Sequence, residues 1–210
     1  MFTGITTGLG RIVDVQPLGA DLSHGKRLTV EAPPGYLDDV QAGDSIALNG
    51  ACMTVTTFDP AQRFFNVDIS AESLDKTTGL AALGSINLEK ALRAHDRLGG
   101  HLVSGHVDGI GRVTRLAQVG ESWELRVAAP VELARFLAYK GSVTVNGVSL
   151  TVNQVIDLPG RCEFSINLIP HTVHGTTLGE LAEDSPVNLE IDTIARYVER
   201  MLSLAASPIA

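Results

Sequence analysis

Two cysteines, Cys52 and Cys162, are all that 210 residues contain, and neither belongs to a Cys-x-x-Cys pair. That count excludes a disulfide scaffold and gives no support to a thiolate zinc or redox motif. The chain also lacks a block of Lys and Arg, and its net charge is −8. An electrostatic grip on nucleic acid or an anionic membrane therefore has no evident source. No stretch approaches the roughly 18 consecutive apolar residues of a membrane-spanning helix. The opening Met1-Phe2-Thr3-Gly4-Ile5 lacks the basic-then-apolar pattern of a leader, so a cytoplasmic location is expected.

What the chain does have is turn chemistry and repetition. Its 21 glycines suit many short elements joined by tight turns. The block Asn49-Gly50-Ala51-Cys52-Met53-Thr54-Val55 recurs 97 residues later as Asn146-Gly147-Val148-Ser149-Leu150-Thr151-Val152, with four of seven positions identical. Leu28, Val30, Ala32 and Pro33 match Leu125, Val127, Ala129 and Pro130 at the same offset. Gly4, Gly8, Gly10 and Arg11 match Gly105, Gly109, Gly111 and Arg112 at an offset of 101, as Asn87-Leu88-Glu89 matches Asn188-Leu189-Glu190. One Asn-Gly match would be weak, because Asn-Gly is a common hairpin turn. Collinear blocks across both halves imply a duplicated module.

Within the first copy, Ser45–Leu48, Cys52–Phe58 and Phe64–Ile69 read as β-strands. Pro33 to Val40 and Pro130 to Tyr139 read as short helices, each with Pro near its start and Gly shortly after its end. The expected fold is mainly β: two tandem similar small closed β-barrels, residues 1–97 and 98–190, followed by a C-terminal α-helix over 191–210. In that tail Ile191, Ile194, Ala195, Val198, Met201, Leu202 and Ala205 recur at three- and four-residue spacing. The helix either packs on its own barrel or serves oligomerisation.

At the junction, Gly99-Gly100-His101-Leu102-Val103-Ser104-Gly105-His106-Val107-Asp108-Gly109 gathers two histidines and an aspartate among glycines. Its spacing matches no common zinc pattern, so no metal is expected. The Met1 to Ile5 start, the two Asn-Gly blocks, the junction, Tyr139-Lys140-Gly141, and Asn167-Leu168-Ile169-Pro170 followed by Thr172 together resemble the riboflavin synthase family. The resemblance covers essentially the whole chain.

It implies a cofactor-free transferase that dismutates two molecules of 6,7-dimethyl-8-ribityllumazine into riboflavin and 5-amino-6-(D-ribitylamino)uracil. It further implies a homotrimer, with each site lying between the N-barrel of one subunit and the C-barrel of a neighbour, and an association with lumazine synthase. On the oligomer, it favours the second reading of the tail. Two similar pockets suit a reaction that consumes two copies of one substrate, because positioning both rings removes much of the bimolecular entropy cost.

Carried over residue by residue, the resemblance places the first-copy pocket on Cys52, Met53 and Thr54, on Asp68, Ile69, Ser70, Ala71, Glu72 and Ser73, and on Gly105, His106 and Val107. The second-copy pocket falls on Ser149, Leu150 and Thr151, on Asn167, Leu168, Ile169, Pro170, His171 and Thr172, and on Lys140, Gly4, Ile5 and Thr6. His106 is the preferred proton shuttle, since an imidazole exchanges protons near neutral pH. Cys52 and Ser149 are candidate nucleophiles or orienters of water, and Thr151 joins them as a catalytic candidate. The copies differ where donor and acceptor must differ: Cys52 against Ser149, and Ile5 against His106. One departure is Asn146, where the family carries Asp; an amide cannot act as a carboxylate base. Since Asn49 occupies the same place in copy one, a turn role is the simpler account. Asp192 matches a family aspartate and equally suits a helix N-terminus.

The competing expectation is a non-catalytic lumazine- or flavin-binding antenna on the same barrels, which fold alone does not separate from the enzyme. A flavin-dependent reductase lacks support, since no Gly-x-Gly-x-x-Gly fingerprint follows a strand.

Overall fold

The computed structural model describes residues 1–21 and 23–206, with Ala205 and Ala206 described by backbone alone. Six strands, β1 (Gly8–Pro17), β2 (Lys26–Glu31), β3 (Ser45–Leu48), β4 (Ala51–Asp59), β5 (Phe64–Ile69) and β6 (Gly84–Lys90), close into an antiparallel barrel in the order β1-β2-β5-β4-β3-β6. Six more, β7 (Gly109–Val119), β8 (Ser122–Pro130), β9 (Ser142–Val145), β10 (Val148–Leu158), β11 (Arg161–Leu168) and β12 (Pro186–Ile191), close by the same circuit. Closure leaves no strand edge open.

The duplication holds down to irregularities. The β1–β2 register slips between Ile12 and Asp14, and the β7–β8 register between Val113 and Arg115. Likewise β4 slips between Val55 and Thr57, and β10 between Val152 and Gln154. Alternation then fills each interior with equivalent side chains: Ile12, Leu28, Val30, Phe65 and Leu88 in one barrel, Val113, Leu125, Val127, Phe164 and Leu189 in the other.

Both Asn-Gly pairs are two-residue turns with positive φ, 45° and 87° at Asn49 and Gly50, 49° and 78° at Asn146 and Gly147. Each Asn Oδ1 accepts a backbone N–H, Asn49 from Asn87 at 2.9 Å and Asn146 from Asn188 at 2.8 Å. The turn account of Asn146 therefore agrees with its geometry. The two turns meet tip to tip between the barrels: a Cβ on Gly50 would fall 2.8 Å from Gly147 N, and one on Gly147 2.6 Å from Gly50 N. Asn87 Nδ2 donates across to Asn146 O at 2.9 Å, and Asn188 Nδ2 to Asn49 O at 3.0 Å. A local two-fold relation thus joins the barrels.

The helical expectations need correction. Residues 33–40 form successive turns, with Tyr36 N–H to Pro33 O and Val40 N–H to Leu37 O, because Gly35 sits at φ 76° and interrupts any helix. Only Val131–Phe136 of the second segment is helical, and it is 3-10. Two short helices escaped the sequence reading, α1 (Ala71–Lys76) and α2 (Pro170–Gly175), which follow equivalent strands. The C-terminal helix α3 runs from Thr193 to Ala206, while Ile191 stays in β12, paired with Val143. Asp192 caps it, accepting from Ile194 N–H at 2.9 Å. Positions 207–210, and the side chain of Ala205 in the expected apolar face, lie outside the described residues.

Candidate functional site

Strand alternation sorts the expected site residues. On β4, Met53 points into the first barrel core while Cys52 and Thr54 face outward; on β5, Ile69 is interior and Asp68 exterior. The second barrel repeats this, with Leu150 and Leu168 interior and Ser149, Thr151 and Asn167 on the outer face. The side chains of Met53, Ile69, Leu150 and Leu168 are therefore core, and only their backbones are left for a ligand. Around these strands Ser70 caps α1 by accepting from Ser73 N–H, and Asp68 is paired with Arg27 through two hydrogen bonds of 2.7 and 2.8 Å. Asn167 accepts from Ser122 Oγ at 2.9 Å, and exposed Lys140 reaches Asn153 Oδ1 at 3.2 Å. Glu72, Ile169, Pro170 and His171 are exposed, while Ala71, Ser73 and Thr172 are half-buried.

Two segments cross from one barrel to the other. Gly4 O accepts from Ser149 N–H at 2.7 Å, laying the chain start on the second barrel. Gly105 O accepts from Cys52 N–H at 2.8 Å, laying the junction on the first, where Val107 packs against the core. Between them Phe2 and Val103 exchange N–H to O bonds of 2.8 and 3.1 Å. Close approach requires glycine at both crossings: φ is 76° at Gly4 and 81° at Gly105, and a Cβ would fall 2.6 Å from Ser149 Cβ or 2.7 Å from Cys52 Cβ. Ile5 and half-buried Thr6 thus neighbour Ser149, and exposed His106 neighbours Cys52. Phe2 is fully buried beneath Gly105, which makes it a packing residue.

His101, counted in the sequence only as part of the junction, is 8% exposed and holds Nδ1 at 2.7 Å from Ser149 Oγ. Burial pulls its pKa below the ordinary imidazole value, against a weaker opposing pull from the Asp192 charge, which favours the neutral ring. Among the described residues its buried Nε2 has no hydrogen-bond partner. The first copy has no equivalent: among the described residues no imidazole is hydrogen-bonded to Cys52. An imidazole just upstream of the copy-two start was the available signal. Cys162 is fully buried, and burial pushes its thiol up.

Two carboxylates serve the crossings. Glu89 accepts from Thr3 N–H at 2.6 Å, Thr3 Oγ1 at 2.8 Å and Gly4 N–H at 2.9 Å. Glu190 accepts from Ser104 N–H at 2.7 Å, Ser104 Oγ at 2.6 Å and Gly105 N–H at 3.0 Å. Burial raises the pKa of both carboxyls, although these bonds oppose the shift. Asp108 is occupied by Ile191 N–H and Arg196, and among the described residues no three His, Cys, Asp or Glu groups converge as metal ligands.

Cys52 and Ser149 are half-buried, while their neighbours Thr54 and Thr151 on the same outer faces are exposed. A cavity of about 450 Å³ lies beside Ile5, lined also by Thr3, Thr7, Arg93 and Arg97. Another of about 570 Å³ lies between the β1–β2 connection and α1, reaching the expected set only at Ala71.

Residues 3–91 and 104–192 each match the lumazine binding domain family model. The riboflavin synthase of Mycobacterium tuberculosis is 41% identical over 208 residues, 98% of this chain and all of that protein. Those of Photobacterium leiognathi and Bacillus subtilis are 40% and 39% identical, covering 97% and 98% of this chain and 90% and 91% of theirs. Among solved structures, LumP complexed with 6,7-dimethyl-8-(1'-D-ribityl) lumazine superposes with a TM-score of 0.76 at 24% identity, and LumP complexed with riboflavin with 0.78 at 24%; each covers 91% of this chain and 99% of LumP. At that identity the likeness is one of fold.

Proposed function

The chain belongs to the riboflavin synthase family of duplicated lumazine-binding domains, and from that premise we propose that it dismutates two molecules of 6,7-dimethyl-8-ribityllumazine by four-carbon transfer. The products are riboflavin and 5-amino-6-(D-ribitylamino)uracil. The observation that carries this reading is the pair of equivalent surfaces, built from the same strands and crossed by equivalent segments, that differ at their chemical positions. One offers Cys52 beside the His106 segment; the other offers Ser149 on neutral His101.

Each lumazine lies along one such surface. Backbone groups of the outer strands and crossing segments pair with the pteridine edge, and hydroxyls such as Thr54 and Thr151 suit the ribityl chain. With His101 Nδ1 accepting the Ser149 proton, Oγ either adds to the methyl-bearing ring carbon of one lumazine or holds the water that does. His106 serves as the base that takes a proton from the acidic methyl group. Thr151 lies on the same outer face as Ser149 and orients the substrate there.

Thr54 and Thr151 leave both surfaces exposed in part, and a reaction between two rings needs them enclosed and face to face. We place the first-barrel surface of one subunit against the second-barrel surface of its neighbour in a homotrimer. Exposed apolar residues of α3 support assembly: Ile194, Tyr197, Met201 and Leu202 are each at least 61% exposed, and burying each contributes about 1.5–3 kcal/mol. No helix of the described residues is long and apolar enough to cross a membrane. A cytoplasmic location, and domain limits of 1–97, 98–190 and 191–210, belong to the same proposal, as does an association with lumazine synthase. Supplying the lumazine as sole substrate tests the reaction; stoichiometric binding without conversion would identify an antenna instead.

A further inference from the structure

We propose that Glu89 and Glu190 are crossed positioning residues, each rooted in one barrel and setting the segment that completes the other barrel's site. The inference rests on the two-surface reading above. Its geometry is a relay through a single glycine at each crossing.

On one side Glu89, in β6 of the first barrel, holds the N–H of Thr3 and of Gly4. The carbonyl of Gly4 then takes the Ser149 N–H of the second barrel at 2.7 Å. The carbonyl of Thr3 takes the His101 N–H at 3.1 Å, and His101 Nδ1 meets Ser149 Oγ at 2.7 Å. First-barrel Glu89 therefore fixes both the backbone and the imidazole that address second-barrel Ser149. On the other side Glu190, in β12, holds Ser104 and Gly105, and Gly105 O takes the Cys52 N–H. Second-barrel Glu190 thereby fixes where His106 stands beside first-barrel Cys52.

Cost supports a role in positioning. Glu89 and Glu190 are 7% and 1% exposed, and among the described residues neither is in an ion pair. A buried carboxylate without a cation is expensive, and an apolar side chain would serve packing alone better. Only an acceptor with two oxygens and no proton receives three donors on one turn of chain. The residue that follows each clamped glycine is Ile5 in one copy and His106 in the other, so identical clamps present different chemistry to the two surfaces.

Cross-wise action separates this role from a general loss of stability, which would loosen a barrel's own site or both. In the full-length protein, the alkylation rate of Cys52 by iodoacetamide reports the first surface, Cys162 being fully buried. The His101 ring resonances reports the second. Glu190→Gln is expected to change Cys52 alkylation roughly tenfold, the effect of one charge-assisted hydrogen bond lost, and to leave the His101 resonances in place. Glu89→Gln is expected to do the reverse. Where a Gln variant fails to fold, Ser104→Ala and Thr3→Val remove single donors and should show the same crossed pattern at smaller amplitude. Responses confined to each carboxylate's own barrel, equal responses in both reporters, or none would overturn the proposal. These readouts need no turnover, so they stand apart from the catalytic assay: crossed reporters in an inactive protein would sink the proposed reaction and keep the clamps.

Discussion

His101 Nδ1 lies 2.7 Å from Ser149 Oγ, a contact inside the copy-two surface that the duplication did not place at Cys52. With Cys52 against Ser149 and Ile5 against His106, it is a point at which two otherwise matching modules become chemically unequal. Ser149→Ala and His101→Ala are each expected to lower kcat by about 10²–10⁴ with a smaller change in lumazine affinity, the usual range for general acid–base assistance. The double variant should lose little more than either single one, since residues that act as a unit are non-additive. Steady-state kinetics on the three proteins checks this. Additive losses would separate the pair.

The same imidazole makes stability pH-dependent. Its folded pKa lies below the ordinary value, so as pH falls the unfolded chain binds the proton first. The stabilisation that neutral His101 provides is present above the ordinary imidazole pKa and is lost as pH falls from there toward the folded value. Urea unfolding at pH 7.5 and 5.5 should show a drop that His101→Asn, which keeps a polar atom near the Nδ1 position, makes shallower. Glu89 and Glu190 have the opposite sense: their folded pKa values are raised, so their contribution is fullest below the ordinary carboxylate range and is lost as pH rises through the folded values.

Gly105→Ala and Gly4→Ala should each destabilise the fold by more than about 1 kcal/mol, because a positive φ already disfavours Ala and the new Cβ would strike Cys52 or Ser149. Gly43→Ala is the control, having positive φ but open space around a Cβ. Denaturant midpoints rank the three. A Gly43 variant as damaging as Gly105→Ala would assign the cost to backbone strain alone.

His106→Ala is expected to cut turnover far more than ligand affinity. Near-normal turnover would remove it from proton transfer and leave that role to the His101 pair.

Met201→Glu with Leu202→Lys should disperse the assembly, measured by sedimentation, and abolish turnover while far-UV circular dichroism still reports both barrels. Activity retained by a monomer would contradict a site shared between subunits.

Much of this was legible in the sequence because alternation and turn chemistry are local. The β3–β5 strands, both Asn-Gly turns and the doubled barrel follow from patterns within a few residues, and the offsets between copies then aligned the two sets of surfaces. The Pro33 segment misled because its Pro and Gly look like helix boundaries, whereas Gly35 inside it takes a left-handed φ. Helices α1 and α2, six residues each, are too short to show an amphipathic period. His101 was hidden for a different reason: its partner Ser149 is 48 residues away, and only the crossing of the chain start over the second barrel brings them together. Inward Met53 and Leu150 were grouped with their outward neighbours because a motif match carries no facing.

In the proposed reaction the two unequal surfaces handle two copies of one substrate. The most direct measurement supplies purified protein with 6,7-dimethyl-8-ribityllumazine alone and follows both products by chromatography. The expected result is consumption of two lumazines for each riboflavin and each 5-amino-6-(D-ribitylamino)uracil formed. Saturable lumazine binding with no riboflavin produced would contradict it.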